Sequence, residues 1–284
     1  MRVSVADCRL YVDVDGLGLV PDGSVMRERP TVVMVHGGPG ADHTVFKPAF
    51  GVLADMAQVV YYDHRGMGRS DLSTPDRWNH DQWADDLVAL CDALGIVDPV
   101  VCGVSFGAIV ALHYAVRHPG HATRVILDSG APVADFDERL AVFVRLGGSE
   151  TVAAAQAFFD QADPDTFVRY ATTCVPLYAR HPGPDLADMR ARGMAHANLD
   201  VFQHWQAGEE RTFDLRGSLD RITCPVLVLA GEDDPICPAS GSRAIAAGIG
   251  PELCTLQVVP DCGHGVCQDR PDVGFAAIRA FLAG

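Results

Sequence analysis

Short apolar runs recur along the chain at Cys8–Asp13, Thr31–Val35, Val59–Tyr62, Val100–Val104, Arg124–Asp128, Val226–Ala230 and Thr255–Val259. Rich in β-branched residues, they read as strands. The first two are separated by turn signals at Asp15-Gly16 and Pro21-Asp22-Gly23. Between the later runs lie segments with helical spacing. Asp81–Leu94 places Trp83, Leu87, Leu90, Cys91 and Leu94 on one face, with Asn79 as a possible N-cap. Phe106–His118 forms a second such segment between two strands. Strands alternating with helices predict an α/β fold, a mostly parallel central sheet with helices on both faces.

The alternation stops after Gly130-Ala131-Pro132 and resumes at Ile222–Val226. Residues from about 135 to 213 hold no convincing strand, but they hold helix-like stretches such as Glu150–Asp160 and Leu186–Met194. The expected organisation is a core of residues 1–134 and 214–284, with a helical cap, 135–213, inserted on the ligand side of the sheet. The chain shows no internal repeat and no low-complexity tract.

A formal net charge of −15 leaves no basic patch to neutralise phosphates, which argues against a nucleic-acid partner. No apolar run has the length of a signal-peptide core or a membrane span, so a cytoplasmic location without membrane contact is expected. Nine scattered cysteines in a chain of 284 residues read as buried thiols rather than a disulfide framework. Cys262, His264 and Cys267 are the one cluster close enough to raise zinc, but no second ligand pair of suitable spacing accompanies them, and no metal is expected. Thiols near the acid and histidine loops, Cys237, Cys262 and Cys267, predict that thiol oxidation or alkylation slows turnover. Oligomeric state cannot be read from the sequence.

The chemistry is carried by residues just past strand ends. Ser105 stands in Gly103-Val104-Ser105-Phe106-Gly107, where a strand turns at once into a helix. Such a corner pushes the hydroxyl above the sheet, and only glycine lets it close. Downstream come Gly231-Glu232-Asp233-Asp234-Pro235 and Pro260-Asp261-Cys262-Gly263-His264, giving the order Ser, Asp, His. That order matches the α/β-hydrolase triad and not the chymotrypsin or subtilisin arrangements. The roles expected are Ser105 as nucleophile, His264 as base and Asp234 as acid, with Asp128 and Asp233 as alternative carboxylates. His36-Gly37-Gly38-Pro39-Gly40 follows another strand. The backbone N–H groups of Gly38 and Phe106 are the expected oxyanion donors, and His36 is expected to brace the loop.

Together with Asp63-His64-Arg65-Gly66-Met67-Gly68-Arg69-Ser70, these motifs resemble the proline iminopeptidase branch of the α/β-hydrolase superfamily over nearly the whole chain outside the middle segment. The resemblance implies Asp63 and Arg65 as structural residues. A serine at the elbow separates the chain from dehalogenases and epoxide hydrolases of this fold, which carry aspartate there. The resemblance further implies a small-molecule or short-peptide substrate, no cofactor, and cleavage of an N-terminal prolyl or amino-acid amide or ester. Esterase, lactonase or carbon–carbon bond hydrolase activity is the alternative, and a slow ligand-binding receptor on the same frame a further one.

A free-amine substrate calls for pocket carboxylates. Glu209 and Glu210 lie about where one amine-binding glutamate occurs in the family, whereas Pro235 stands where some members place a second. Trp205, Phe202, His204, Tyr170 and Tyr178 are further candidates for lining the pocket.

Overall fold

A computed structural model describes residues 1–284. Its strands are β1 (Arg2–Val5), β2 (Cys8–Asp15), β3 (Leu19–Asp22), β4 (Val25–Glu28), β5 (Thr31–Val35), β6 (Gln58–Tyr62), β7 (Val100–Val104), β8 (Arg124–Asp128), β9 (Val226–Gly231) and β10 (Cys254–Val259). Eight of them form one sheet in the order β1-β2-β6-β5-β7-β8-β9-β10, while β3 and β4 pair as a separate hairpin. β1 and β2 run antiparallel, and every pairing from β6 to β10 is parallel.

The helices are α1 (His80–Leu94), α2 (Phe106–Arg117), α3 (Phe136–Asp160), α4 (Pro164–Thr173), α5 (Leu186–Met194), α6 (Leu199–Ala207), α7 (Glu209–Thr212), α8 (Ala239–Ile249), α9 (Val266–Asp269) and α10 (Pro271–Ala283). α1 starts where the sequence predicts, with the Asn79 side chain accepting from the Gln82 N–H, and stops at Gly95 in the left-handed conformation. The central strands bury both faces. Val33, Val35, Val101, Val125 and Val228 join the core under α1 and α2, while Val32, Met34, Cys102, Ile126 and Leu227 join that under α10.

The expected α/β architecture is present, with differences at the N-terminus and in the middle segment. β1, β3 and β4 were not legible as strands, and Pro21-Asp22 ends β3 rather than forming the turn. Both hairpin strands are exposed at most positions, so neither carries the apolar run on which a strand assignment rests. Between β8 and β9 the chain makes α3 to α7, and α3 begins well before Glu150, bending at Gly148 where φ is +75°. Val133 pairs with Asp214 at the base of this segment. Phe143, Phe158, Phe159, Tyr170 and Cys174 form a small core of its own.

Parallel register sets the functional edge. Val35 lies opposite Gly103, Val104 opposite Asp128, and Val259 opposite Gly231, so these strands end together at one edge of the sheet. The packing behind the corner after β7 is tight. A β-carbon on Gly107 would collide with the Val35 carbonyl oxygen, and one on Gly103 with that of Gly107. Gly107→Ala is therefore expected to cost about 3 kcal/mol or more in urea unfolding, at the upper end for overpacking a rigid core, because backbone rather than a side chain would have to move.

Candidate active site

Ser105 occupies the corner between β7 and α2 with φ +60° and ψ −125°, a conformation that non-glycine residues adopt only under constraint. Its N–H donates to the Asp128 carbonyl at 2.9 Å, which fixes the corner against β8. The hydroxyl lies 2.7 Å from His264 Nε2, and His264 Nδ1 lies 2.9 and 3.0 Å from the two Asp234 oxygens. Nδ1 thus carries the proton toward the carboxylate, leaving Nε2 to accept from serine. Asp234 is fully buried, and its Oδ1 also accepts from the Ile236 and Cys237 N–H groups, each at 2.8 Å. These donors hold the carboxylate in line with the imidazole. The arrangement can take a proton from Ser105 and stabilise the imidazolium that results.

The other two carboxylates stand elsewhere. Asp128 is buried, and its oxygens accept from Val266 N–H at 2.8 Å and Cys267 N–H at 3.0 Å, capping α9. Desolvation raises its pKa above the usual carboxylate range. It anchors the loop that carries His264, helped by Ser129 Oγ, which accepts from Gly265 N–H at 2.8 Å. Asp233 is ion-paired with Arg145 and, at 3.4 Å, with Arg180, rather than standing in solvent.

Gly38 and Phe106 line the same cavity as Ser105. Phe106 opens α2, so its N–H belongs to the first turn, whose donors have no intrahelical partner. Gly38 has φ +135°, and Gly37 packs against Ser105, where a β-carbon would lie 3.2 Å from that of the serine. His36 braces this loop: its Nδ1 donates to Gly37 O at 2.7 Å, and Nε2 accepts from His64 N–H at 3.1 Å.

Asp63 and Arg65 are buried and fully engaged. Asp63 accepts from His43 and from Arg69 N–H, while Arg65 makes a two-pronged pair with Asp86 at 2.7 and 2.8 Å. Asp42, His43 and Asp63 could in principle hold a metal ion. The His43 contacts and the Arg69 guanidinium, 2.8 Å from Asp42 Oδ2, already occupy those carboxylates.

The cavity, about 90 Å³, is walled by Phe106, Ile109, Phe158, Phe159, Tyr170, Tyr178, Phe202, Trp205, Ile236 and Cys237. Phe202 and Trp205, with Tyr170 and Tyr178, thus lie where expected; His204 instead packs edge-on against Trp78. Glu209 corrects expectation: it does not line the cavity, because its Oε2 accepts from the His80 N–H at 2.6 Å. Glu210 does line it, but is paired with the buried Arg139 at 2.6 Å. Arg139 was missed. The available signal was an arginine in helical register with Val142 and Phe143, both buried on α3. The three thiols near the site, Cys237, Cys262 and Cys267, are buried and desolvation pushes each pKa up, which works against the oxidation or alkylation expected there.

A sequence model of the α/β-hydrolase fold matches residues 30–271. The chain belongs to the α/β-hydrolase family. A protein from Caulobacter sp. (strain K31) named as a carbamate hydrolase, RutD, is 32% identical over 95% of this chain and 97% of its own length. The proline iminopeptidase PfmaB of Pestalotiopsis fici is 25% identical over 96% of this chain and 98% of its own. Among solved structures, the proline iminopeptidase of Mycobacterium smegmatis superposes with a TM-score of 0.79 at 23% identity, covering 100% of this chain and 97% of that one. The enol-lactonase of Burkholderia xenovorans LB400 gives 0.70 at 22% identity, covering all of both chains. No helix is long and apolar enough to cross a membrane.

Two predictions separate the roles of the buried groups. Asp234→Asn is expected to lower kcat on the order of 10⁴-fold with little loss of stability, whereas Asp128→Asn is expected to cost about 1–3 kcal/mol in urea unfolding and less than tenfold in kcat, because it unpairs a helix-capping amide rather than touching the imidazole. The second concerns histidines behind the corner. Burial lowers the pKa of His36, lowers that of His64 strongly, and pushes that of His113 down to about 2. Below about pH 6.5 the unfolded chain takes up protons that these folded-state rings refuse, so stability falls as pH falls from 6.5 toward 4.5, by about 1.4 kcal/mol per pH unit for each ring that stays neutral. Replacing His113 with Gln should flatten the slope of unfolding free energy against pH by about one proton.

Proposed function

We propose that the chain is a serine hydrolase acting by two-step acyl transfer on a small, neutral ester or carbamate. Ser105 attacks the carbonyl as His264 takes its proton, Asp234 orients the imidazole, and the N–H groups of Gly38 and Phe106 receive the oxyanion. The imidazolium then protonates the leaving group, and water, activated by His264, frees the acyl group. Residues 135–213 act as the cap that roofs the substrate.

The observation that carries this reading is the unbroken hydrogen-bond chain from Ser105 through His264 to Asp234, opening on a cavity lined by both candidate oxyanion donors. A neutral substrate is favoured over an N-terminal amine because the one carboxylate in the cavity wall, Glu210, is paired with Arg139, and Pro235 leaves no second. Proline iminopeptidase activity is the second reading, supported by the relative of that name.

The test compares turnover of para-nitrophenyl butyrate with that of proline para-nitroanilide, using Ser105→Ala as the blank. Ester hydrolysis at least a hundredfold faster in kcat/KM, and absent from the blank, is the expected result. Efficient release of para-nitroaniline would move the protein to the peptidase side. Hydrolysis that survives Ser105→Ala would remove the mechanism.

A further inference from the structure

The cavity beside Ser105 contains a cation and an anion that the acyl-transfer chemistry does not use. Arg139, on α3, and Glu210, on α7, are 3% and 6% exposed, and both line the cavity. Arg139 Nη1 donates to Glu210 Oε1 at 2.6 Å, and Arg139 Nε donates to the Ile236 carbonyl at 2.8 Å. The second terminal nitrogen, Nη2, and the second carboxylate oxygen, Oε2, have no partner within the protein, yet neither is a sealed, unsatisfied atom of the interior. The pair lines the cavity and retains unpartnered guanidinium N–H groups and an unpartnered carboxylate oxygen.

Burying an ion pair is costly, and its remaining protons and lone pairs need partners before the cost is recovered. The other polar side chains of the cavity are engaged elsewhere, since the Gln206 amide donates to the Phe158 carbonyl at 3.2 Å, the Tyr170 and Tyr178 hydroxyls meet at 2.6 Å and Ser105 faces His264, and none of them bonds the pair, so the complement comes from the ligand. Its form follows from the pair. A carbonyl oxygen accepts from Nη2 while an adjacent N–H donates to Oε2, which is the edge of a carboxamide, a ureido group or an N–H carbamate.

Charge selects in the same direction. An ammonium group would have to compete with the Arg139 guanidinium for Glu210 and sit beside that cation; a carboxylate would face Glu210 in the same way. The two charges cancel as seen from a distance, and a neutral dipolar group satisfies both without displacing either.

We propose that the Arg139–Glu210 pair is a substrate-recognition site that reads a neutral amide-type edge and rejects free amines and free carboxylates. The proposal rests on Ser105 being the nucleophile and names the substrate class for that site.

Four phenyl esters of equal chain length, tipped with methyl, carboxamide, ammonium or carboxylate, test it through kcat/KM. In the native protein the carboxamide ester should lead the methyl ester by about tenfold and both charged esters by more. In the double variant Arg139→Met with Glu210→Leu, the carboxamide-to-methyl ratio should fall to about one. In Arg139→Met alone, which leaves Glu210 unpaired, the ammonium-to-carboxamide ratio should rise at least tenfold. An ammonium ester preferred by the native protein, or a carboxamide-to-methyl ratio unchanged in the double variant, would overturn the proposal.

Failure of the underlying reading looks different, since the protein would then not be labelled at Ser105 by a fluorophosphonate. In that case, and for any variant too unstable to assay, pentanamide, pentylammonium and pentanoate are compared as ligands of Ser105→Ala by thermal shift. Stabilisation by pentanamide above both ions supports the recognition site, and its absence refutes it.

Discussion

The close approach of backbone to backbone at the corner after β7 is the constraint on which the rest of the site depends. Gly107 lets α2 sit against the end of β5, and Gly103 lets the helix start directly over the strand. Without those two missing side chains the chain could not hold Ser105 at φ +60°, a conformation that costs on the order of 1–3 kcal/mol and persists only where the surroundings over-determine it. The surroundings here are a strand buried on both faces, Val100–Val104, and a helix whose inner face is buried throughout. Rigid packing thus sustains a strained serine, and the strain keeps its hydroxyl pointed away from the sheet.

The second requirement is that a histidine from a distant loop reach that hydroxyl. Gly231 and Gly263 repeat the device used at the corner. A β-carbon on Gly231 would strike the Gly263 carbonyl, and one on Gly263 would strike that of Tyr178. The His264 N–H donates to the Tyr178 carbonyl at 2.6 Å, so the loop is clamped between β9 below and the middle segment above. Asp128 holds the other side of the same loop through α9. A carboxylate at the end of β8 thereby acts on His264 through the backbone, while the carboxylate after β9 meets the ring. The same residue type at two neighbouring strand ends has two functions, and hydrogen-bond partners tell them apart.

How much of this was legible in the sequence follows from how local each signal is. The corner, the histidine loop and the glycine loop are short motifs tied to strand ends, and parallel register brings strand ends together, so order and spacing were enough to pick out Ser105, Asp234 and His264 as side chains that meet within hydrogen-bond reach. Side-chain direction is not local. Glu209 and Glu210 are adjacent, yet one turns out to the start of α1 and the other inward, a difference set by where α7 packs. Arg139 lies some seventy residues before its partner, and its meaning appears only when α3 and α7 meet. The hairpin β3–β4 was missed for the opposite reason: its strands bury little, so no apolar run marks them.

The Arg139 contact with Ile236 joins the two halves of the site. Ile236 sits two residues after Asp234, and its N–H is one of the donors that hold the Asp234 carboxylate. The guanidinium that faces the cavity therefore also grips the loop that aims the acid. A group pulling Arg139 away from Ile236 would loosen the Asp234 loop, whereas one satisfied by the pair as it stands would leave the Ser105–His264–Asp234 line undisturbed. On the proposed reading, binding energy and catalytic alignment favour the same ligand, because the neutral group that best completes the ion pair is also the one that asks nothing of the Asp234 loop. A pocket built only for apolar fit would need no such pair, and leucine or methionine at positions 139 and 210 would fill the space without the cost of burying two charges.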